Sequence, residues 1–389
     1  GISIDTRSIA PGDLFVALRD QRDGHDFVDG PEKGMRGFWA VTRYDDIVAA
    51  ANDWQTFSST SGNMLDDIPG RTGVTLGTSD PPRHDHLKAL INNAFMMHSN
   101  KYLNDPVAAL AHAALDDVAG RPSFDFIKDF SSPVTVGTLS YLLGIPEEYH
   151  RTIRERVVLI LQTDPETRTK PPESMAAFKW LTDFALELIA ERKRQPGTDL
   201  ISRLVTSEID GKKLTPQEVQ MTSATFIMAG VESASSFMTM LAINLADHPD
   251  SRRRVVANPD LLPDAMMESL RYNTSAQRFR RTVTKDTSFG GKTLLAGQPV
   301  QLCFGSGNRD ERKFGNSDDY DIDRKPRAHL GFGMGKHRCI GTNVAEILVI
   351  NAMNVFLQRM PVYRQIRPAL AWMPSTTFRS PVAYEIAAA

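Results

Sequence analysis

The chain has 389 residues, of which 41% are hydrophobic and 24% are charged, and its formal net charge is −2. This composition is typical of a globular protein with a large core, and the small net charge argues against general nucleic-acid binding. The only cysteines are Cys303 and Cys339, so we expect no disulfide framework and a reducing, cytoplasmic location. Because no run of about eighteen apolar residues occurs, we expect neither a signal peptide nor a membrane anchor.

The predicted elements are mostly helices. No flexible linker and no repeat divides the sequence, so residues 1–389 are predicted to form a single large domain. Strand-like patterns occur at 37–42 and at 287–304, where glycines interrupt the second pattern and predict hairpins. Long helical patterns lie at 107–117, 176–194 and 344–358. The predicted fold class is mainly α with a small β portion.

One helix is marked far better than the others. Thr215 is a suitable N-cap, Pro216 takes the first helical position, and Glu218 completes a capping box. The apolar pattern then continues to Ala246, which corresponds to about 32 residues and about 48 Å at 1.5 Å per residue. A helix of that length must cross the whole domain, so its middle is predicted to be buried.

The middle of this helix contains an unusual polar step. Ala229 and Gly230 are followed closely by Glu232 and Ser233. A glycine, an acid and a hydroxyl together permit local widening of the helix, a water pocket and a path for protons. A tilted helix whose Glu232 reaches solvent would explain the same residues, and the sequence leaves both explanations open.

The most informative segment is the glycine-rich turn FGMGKHRCIG at residues 332–341, which contains Cys339. Its glycines permit close backbone approach and positive φ, and the start of the following helix supplies N–H groups that lower a thiol pKa. Such a turn suits a thiolate held against a large flat cofactor. Cys339 alone would also fit a zinc ligand, a redox thiol or a core residue, but zinc partners and a resolving thiol are missing.

Cationic and polar side chains recur at a distance from this turn. His84 and Lys88 are one turn apart on one helix face, and Arg281 begins a predicted β segment. Glu268 and Arg271 are three residues apart on another helix, where they can pair. Together these groups would suit an anionic cofactor edge, although each alone is equally explained as a solvated charge.

In this order, the segments resemble the soluble bacterial type of the cytochrome P450 family of haem-thiolate monooxygenases. The resemblance covers most of the chain, from about Trp39 to Ala389. Residues 332–341 match the family pattern F-G-x-G-x-H-x-C-x-G at every specified position, and Glu268 and Arg271 match its E-x-x-R pair. The resemblance implies one P450-like domain whose long helix passes over haem b (iron protoporphyrin IX).

The resemblance also implies roles for individual residues. Cys339 would be the axial metal ligand of the haem iron, and Glu268 and Arg271 would form a structural ion pair with Arg324 nearby. The residues implied in cofactor binding are His84, Lys88, Arg281, Phe332, Gly333, His337 and Cys339. Those implied in catalysis with O₂ are Ala229 and Gly230 on the distal face and Glu232 and Ser233 as the proton-delivering acid–alcohol pair.

Three positions depart from the family pattern. Ser233 stands where the family usually has Thr, and Lys88 stands where it usually has Arg. Serine keeps the hydroxyl without the methyl that restricts χ1, and lysine keeps the charge without the bidentate fork. Residues 274–276 lack the proline that the family often has there, so the pocket floor is expected to differ in shape.

The implied activity is insertion of one oxygen atom from O₂ into a mainly apolar small organic molecule, such as a terpenoid, a steroid-like ring system or an aromatic acid. Electrons would come from a ferredoxin and its reductase, because the chain has no flavin or iron–sulfur motif. The alternatives are a peroxide-driven peroxygenase and a non-catalytic haem-binding sensor or recruitment protein. Arg71 would either anchor a substrate carboxylate or be a surface charge. The expected pocket segments are 63–78, 164–174, 222–228, 273–279 and 374–378.

Overall fold

A computed structural model describes residues 26–28, 37–68, 70–96, 100–165, 167, 169–209, 211–366 and 369–388. The helices are α1 (Tyr44–Asn52), α2 (Arg83–Met96), α3 (Asn104–Asp117), α4 (Ser132–Leu143), α5 (His150–Leu161), α6 (Pro172–Arg194), α7 (Leu200–Thr206), α8 (Pro216–Asp247), α9 (Pro249–Ala257), α10 (Leu262–Tyr272), α11 (Phe304–Gly307) and α12 (Thr342–Arg359). The prediction that no signal peptide is present concerns residues outside these ranges.

The strands are short. They are β1 (Asp26–Val28), β2 (Phe38–Val41), β3 (Phe57–Ser58), β4 (Phe124–Asp125), β5 (Glu208–Ile209), β6 (Lys212–Lys213), β7 (Phe279–Val283), β8 (Thr287–Phe289), β9 (Lys292–Leu294), β10 (Pro299–Leu302), β11 (Tyr363–Gln365) and β12 (Glu385–Ala388). The largest sheet has the order β1-β2-β10-β7-β3, in which β10 runs parallel to β2 and antiparallel to β7. The prediction of a mainly α fold with a small β portion is confirmed.

Helix α8 forms the core of the molecule. It has 32 residues and begins with the predicted capping box: the Thr215 N–H donates to Glu218 Oε2 at 2.7 Å, and the Glu218 N–H donates to Thr215 Oγ1 at 3.3 Å. By length and apolar content the helix would also suit a membrane span, but 78% of its most apolar window is buried by protein. It packs against α4, α5 and α6 on one side and α10 and α12 on the other.

The β-rich part of the fold has its own small core. Apolar side chains of α1, β7 and β10 pack there against Phe304 and Leu330, which flank the segment leading to the cysteine turn. The cysteine turn therefore lies between two cores, with the sheet and α1 on one side and α8 and α12 on the other. Both cores hold the turn in place, because Gly335 contacts α1 and Phe332 packs on the core around α8.

Candidate functional site

The turn that carries Cys339 is held by backbone bonds and by two left-handed glycines. The Cys339 N–H donates to the Phe332 carbonyl at 2.8 Å, which closes the loop, and Gly333 and Gly335 both have φ of +69°. A Cβ added at Gly335 would lie 2.6 Å from the Ala51 carbonyl oxygen of α1, so only glycine fits this close approach. The two glycines therefore allow the tight loop that holds Cys339 in place.

Cys339 is accessible, whereas Cys303 is a buried core residue. The protein packed around the loop raises the pKa of the Cys339 thiol, and hydrogen bonds from the Gly341 N–H and the Thr342 side chain oppose that rise. Arg338 and Lys88 favour the thiolate further through their charge. The sulfur thus has N–H and cationic neighbours that favour a thiolate, but burial has the larger effect and the pKa of the Cys339 thiol is raised rather than lowered.

Histidines and cations from three segments meet beside this loop. The rings of His84 and His337 are 4.6 Å apart between centroids, and Lys88 donates to the Lys336 carbonyl at 2.6 Å. Burial lowers the pKa of His337 to about 2, and Arg281, His84 and Lys88 lower it further through their charge. Burial also lowers the pKa of Arg281 to about 10, although the charge of Asp80 opposes this change. The sequence-predicted group is therefore one spatial cluster.

This cluster fits the edge of an anionic cofactor. His84 is fully buried, its Nδ1 lies 3.0 Å from Asp85 Oδ1, and its Nε2 has no partner among the described residues. A buried ring nitrogen without a partner is costly in a protein, and a propionate oxygen would supply one. Arg281 adds a buried guanidinium, which donates to the Arg280 carbonyl at 2.8 Å. These observations match a haem whose carboxylates face the cluster.

The middle of α8 contains a short accessible stretch between buried residues. Ala229 is exposed and Gly230 is half-buried, whereas Met228 and Val231 on either side are buried. A Cβ added at Gly230 would lie 2.8 Å from a methyl carbon of Leu139, so the glycine permits close packing with α4. The ring of Phe237, two turns further along α8, meets the ring of Phe332 edge to face at 6.3 Å. The cysteine loop therefore packs against the same helix.

Glu232 is buried, so the alternative in which a tilted helix brings it to solvent is wrong. Ser236 Oγ lies 2.9 Å from its carboxylate and 2.6 Å from Ser380 Oγ, which forms a short chain of hydroxyl groups. Burial raises the pKa of Glu232, while Ser236, Ser380 and Arg154 oppose the rise. Ser233 instead donates its hydroxyl to the Ala229 carbonyl. No hydrogen bond joins Glu232 and Ser233 in the described part of the chain.

The predicted pair of Glu268 and Arg271 forms a fully buried network. Both side chains are 0% exposed, and Arg271 donates from Nε and Nη2 to the two oxygens of Glu268 at 2.8 and 2.7 Å. Arg324 approaches the same carboxylate at 3.3 Å, and the Asp321 N–H donates to it at 2.9 Å. Arg271 also donates to the carbonyls of Asn308, Ser317 and Asp319. The pair therefore fixes the irregular segment that precedes the cysteine turn.

Four of the five expected pocket segments contact one another. The Thr376 hydroxyl donates to Asp66 Oδ1, and the Gln277 N–H donates to the Thr377 carbonyl at 3.0 Å. Lys170 forms an ion pair of 3.1 Å with Asp66. Residues 69, 166 and 168 of these segments lie outside the described residues.

The structure contradicts one of the two explanations that the sequence offered for Arg71. The residue is 2% exposed, so it is not a surface charge. Its Nη1 lies 3.0 Å from Asp67 Oδ1, so its charge is already balanced within the protein. Sequence reasoning missed Arg278, which is also a buried arginine. It lies within 273–279, one of the segments expected to line the pocket.

Comparison with known proteins agrees with this geometry. The family model for cytochrome P450 matches residues 160–365. Nocardicin C N-oxygenase from Nocardia uniformis subsp. tsuyamanensis is 32% identical, over 97% of this chain and 98% of that protein. Cyclomarin C epoxidase from Salinispora arenicola is 31% identical, over 88% and 87%.

Solved structures give the same result. The structure of a Bacillus megaterium cytochrome P450 in complex with testosterone superposes with a TM-score of 0.87 at 27% identity, over 96% of this chain and 97% of that chain. The fold and the thiol loop thus define a haem-thiolate type of protein. The chain belongs to the cytochrome P450 family and is a cytochrome P450 monooxygenase, and this membership implies a haem cofactor.

Proposed function

We propose that the protein inserts one oxygen atom from O₂ into a mainly apolar small organic substrate, with electrons delivered by a ferredoxin and its reductase in the cytoplasm. The observation that carries this proposal is the arrangement around Cys339. An accessible thiol on a glycine-locked loop lies beside a buried cluster of histidines and cations, and the loop packs against the helix that contains Glu232. Family membership supports the same chemistry.

In this proposal the residues of the loop and of the cationic cluster hold the haem. Cys339 would coordinate the haem iron, Phe332 and Gly333 would shape the loop that carries this cysteine, and the cluster would hold the propionates. The members of that cluster are His84, Lys88, Arg281 and His337. When bound, the haem supplies O₂ activation, which the electron-rich thiolate favours. The Gly341 N–H and the positive end of α12 keep the sulfur from becoming too basic.

Residues of α8 handle O₂ and protons on the other side of the site. Ala229 leaves room beside the helix, because it is exposed and carries only a methyl group, and Gly230 lets Leu139 of α4 pack closely on the same turn. Glu232 is the proton-holding group, since burial raises its pKa and keeps it protonated to higher pH than an exposed acid. Ser236 and Ser380 connect its carboxyl to the C-terminal loop by hydrogen bonds. Ser233 provides the hydroxyl nearest to the open part of the helix.

Electron delivery is proposed to use the exposed face near the cysteine loop. Five basic residues lie near Cys339 in the sequence: Arg324, Lys325, Arg327, Lys336 and Arg338. Three of them have carboxylate partners: Arg324 pairs with Glu268, Lys325 with Asp264 and Lys336 with Asp85. Arg327 and Arg338 are exposed and form no ion pair within the described residues. These two cations support docking of an acidic protein such as a ferredoxin.

The test is a stoichiometry measurement with surrogate ferredoxin and reductase. The monooxygenase proposal predicts that NADH, O₂ and oxygenated product appear in comparable amounts in the presence of a substrate. A peroxygenase would form product with hydrogen peroxide alone and gain nothing from the redox proteins. A sensor or recruitment protein would bind haem and ligand but form no product under either condition, and either of these two outcomes would overturn the proposal.

A further inference from the structure

A buried polar cluster, here called the Asp66 cluster, joins loops that are far apart in sequence. Its charged members are Asp66, Asp67, Arg71, Lys170 and Arg278. Lys170 Nζ lies 3.1 Å from Asp66 Oδ2, and the Thr163 hydroxyl donates to the same oxygen at 2.6 Å. The Thr376 hydroxyl donates to the other oxygen of Asp66, and the Thr376 N–H donates to Thr163 Oγ1 at 3.2 Å. The cluster therefore fixes three of the expected pocket segments to one another.

The charges of this cluster do not balance. Lys170 is paired with Asp66, and Arg71 is paired with Asp67 at 3.0 Å; the Lys170 and Arg71 side chains are 6% and 3% exposed. Arg278 is the remaining cation, and it forms no ion pair with a carboxylate among the described residues. Three cations thus face two carboxylates, which leaves one positive charge in excess inside the protein. A buried charge without a partner is strongly unfavourable, so a counter-charge is expected.

Arg278 has the geometry of an anion receptor. The residue is only 8% exposed, and its Nε donates to the Thr376 carbonyl at 2.7 Å. Neither of its two terminal amino groups has a hydrogen-bond partner in the described part of the chain, and neither is among the fully enclosed atoms. The bond at Nε fixes one edge of the planar guanidinium and leaves the other end as a two-pronged fork. Such a fork matches a carboxylate bidentately.

The surroundings place this fork on the side of the pocket loops. Gln277 points the other way, because a Cβ added at Gly305 would lie 2.2 Å from Gln277 Oε1, and neighbouring residues in an extended segment alternate in direction. Arg278 therefore faces the loop at residues 374–378, which it contacts through Thr376. The same loop leads to Ser380, whose hydroxyl lies 2.6 Å from Ser236 Oγ on α8. The loop that binds the Arg278 guanidinium therefore also contacts α8, at Ser236.

The Asp66 cluster is separate from the cluster assigned to the haem propionates. Arg281 is influenced by Asp80, whereas Arg278 is influenced by Asp66 and Cys303. No hydrogen bond within the described ranges joins His84 or His337 to the Asp66 cluster. Arg278 therefore has different hydrogen-bond partners and different charged neighbours from the group assigned to the haem propionates.

We propose that Arg278 anchors the substrate and that the substrate is an organic carboxylate with a mainly apolar body. This inference rests on the proposed function, because it names the substrate class of the same site. One carboxylate balances the one excess charge and fills both prongs of the fork, whereas a doubly charged phosphate would overcompensate it. The carboxylate anchor that the sequence suggested at Arg71 is thereby assigned to Arg278, whose charge is not already balanced.

The test measures ligand binding to the haem-loaded protein by calorimetry, with acids and their uncharged primary amides as matched probes. Suitable pairs are decanoate with decanamide, 4-isopropylbenzoate with its amide, and cholanoate with its amide. At least one acid should bind about 10-fold or more tightly than its amide. Arg278→Gln should lower the affinity for that acid to within about twofold of the affinity for its amide. The affinity for the amide should stay unchanged. Arg151→Gln is the control, because that side chain is 86% exposed and lies on another surface.

Two results would overturn the proposal: acids that bind no better than their amides in every pair, or an acid preference that survives Arg278→Gln. If Arg278→Gln does not fold, the comparison of acids with their amides in the wild type still tests the proposal. Arg278→Lys should keep part of the preference for the acid, because lysine keeps the positive charge. The failure of the oxygenase function would give a different pattern. The acid preference would then remain in calorimetry, but no product would form with electrons and O₂.

Discussion

The buried pair of Glu268 and Arg271 gives the most quantitative prediction about stability. Glu268→Gln keeps the shape of the side chain but removes its charge and places an amide N–H₂ group among donors. The Glu268 carboxylate accepts from Arg271 twice, from the Asp321 N–H at 2.9 Å and from Arg324 at 3.3 Å. Because both side chains of the pair are 0% exposed, Arg271 would be left as a buried charge without a counter-ion.

Loss of one partner of a buried ion pair costs about 3–5 kcal/mol, which is a large part of the roughly 5–15 kcal/mol that stabilises a typical domain. We therefore expect Glu268→Gln to lower the urea midpoint strongly and to reduce the haem retained after purification. The measurement is urea unfolding followed by circular dichroism and by haem absorbance, whose coincidence checks that one transition is observed.

The matched control is Glu155→Gln. Glu155 pairs with Arg151 at 3.3 Å on the surface, where the two side chains are 57% and 86% exposed. An exposed helical pair contributes only about 0.3–0.5 kcal/mol, so this variant should unfold almost as the wild type does. If Glu268→Gln lowered the free energy of unfolding no more than Glu155→Gln does, the role of the buried network as the anchor of the segment before Cys339 would be refuted.

Four further predictions concern three variants of α8 and the cysteine loop. Glu232→Gln should slow product formation by about 10²–10⁴-fold with haem content unchanged, and loss of haem instead would contradict the proton-holding role. Because burial raises the pKa of Glu232, its ionisation destabilises the fold as pH rises, so Glu232→Gln should gain stability over the wild type more at pH 8 than at pH 5 in urea unfolding. Ser233→Ala should release more peroxide per NADH consumed, and an unchanged peroxide yield would remove its assigned role. Gly335→Ala should lower haem retention, because its Cβ would meet the Ala51 carbonyl at 2.6 Å; full retention would show that the close approach is not required.

Features with a local physical cause were predictable from the sequence. The cap of α8 depends only on Thr215, Pro216 and Glu218, and the structure shows the two reciprocal hydrogen bonds that this pattern predicts. The length of α8 follows from an uninterrupted apolar pattern, and the observed helix ends at Asp247, one residue beyond the expected end. The cysteine turn was recognisable because its glycines have to take positive φ, and Gly333 and Gly335 do so.

Features that depend on contacts between distant segments were not predictable. The spacing of Glu268 and Arg271 alone was equally consistent with a surface pair, and only the family resemblance implied a structural ion pair, because their burial comes from residues 308–321, which fold over them. The direction of Glu232 depends on Ser380, which is remote in sequence and supplies a hydroxyl group next to Ser236. The unbalanced charge of Arg278 appears only when loops around Asp66 and Lys170 are brought together. Pairing over such distances leaves no period or spacing in a single sequence.

The central claim is that Cys339 is the thiolate ligand of a haem iron, and the carbon monoxide spectrum of the reduced protein tests it most directly. The chain offers a matched control, because Cys303 is its only other cysteine and is buried in the core. The wild type and Cys303→Ser should show the thiolate-type spectrum, whereas Cys339→Ser should lose it. A thiolate-type spectrum that persisted in Cys339→Ser would contradict the assignment of the ligand and the site built around it.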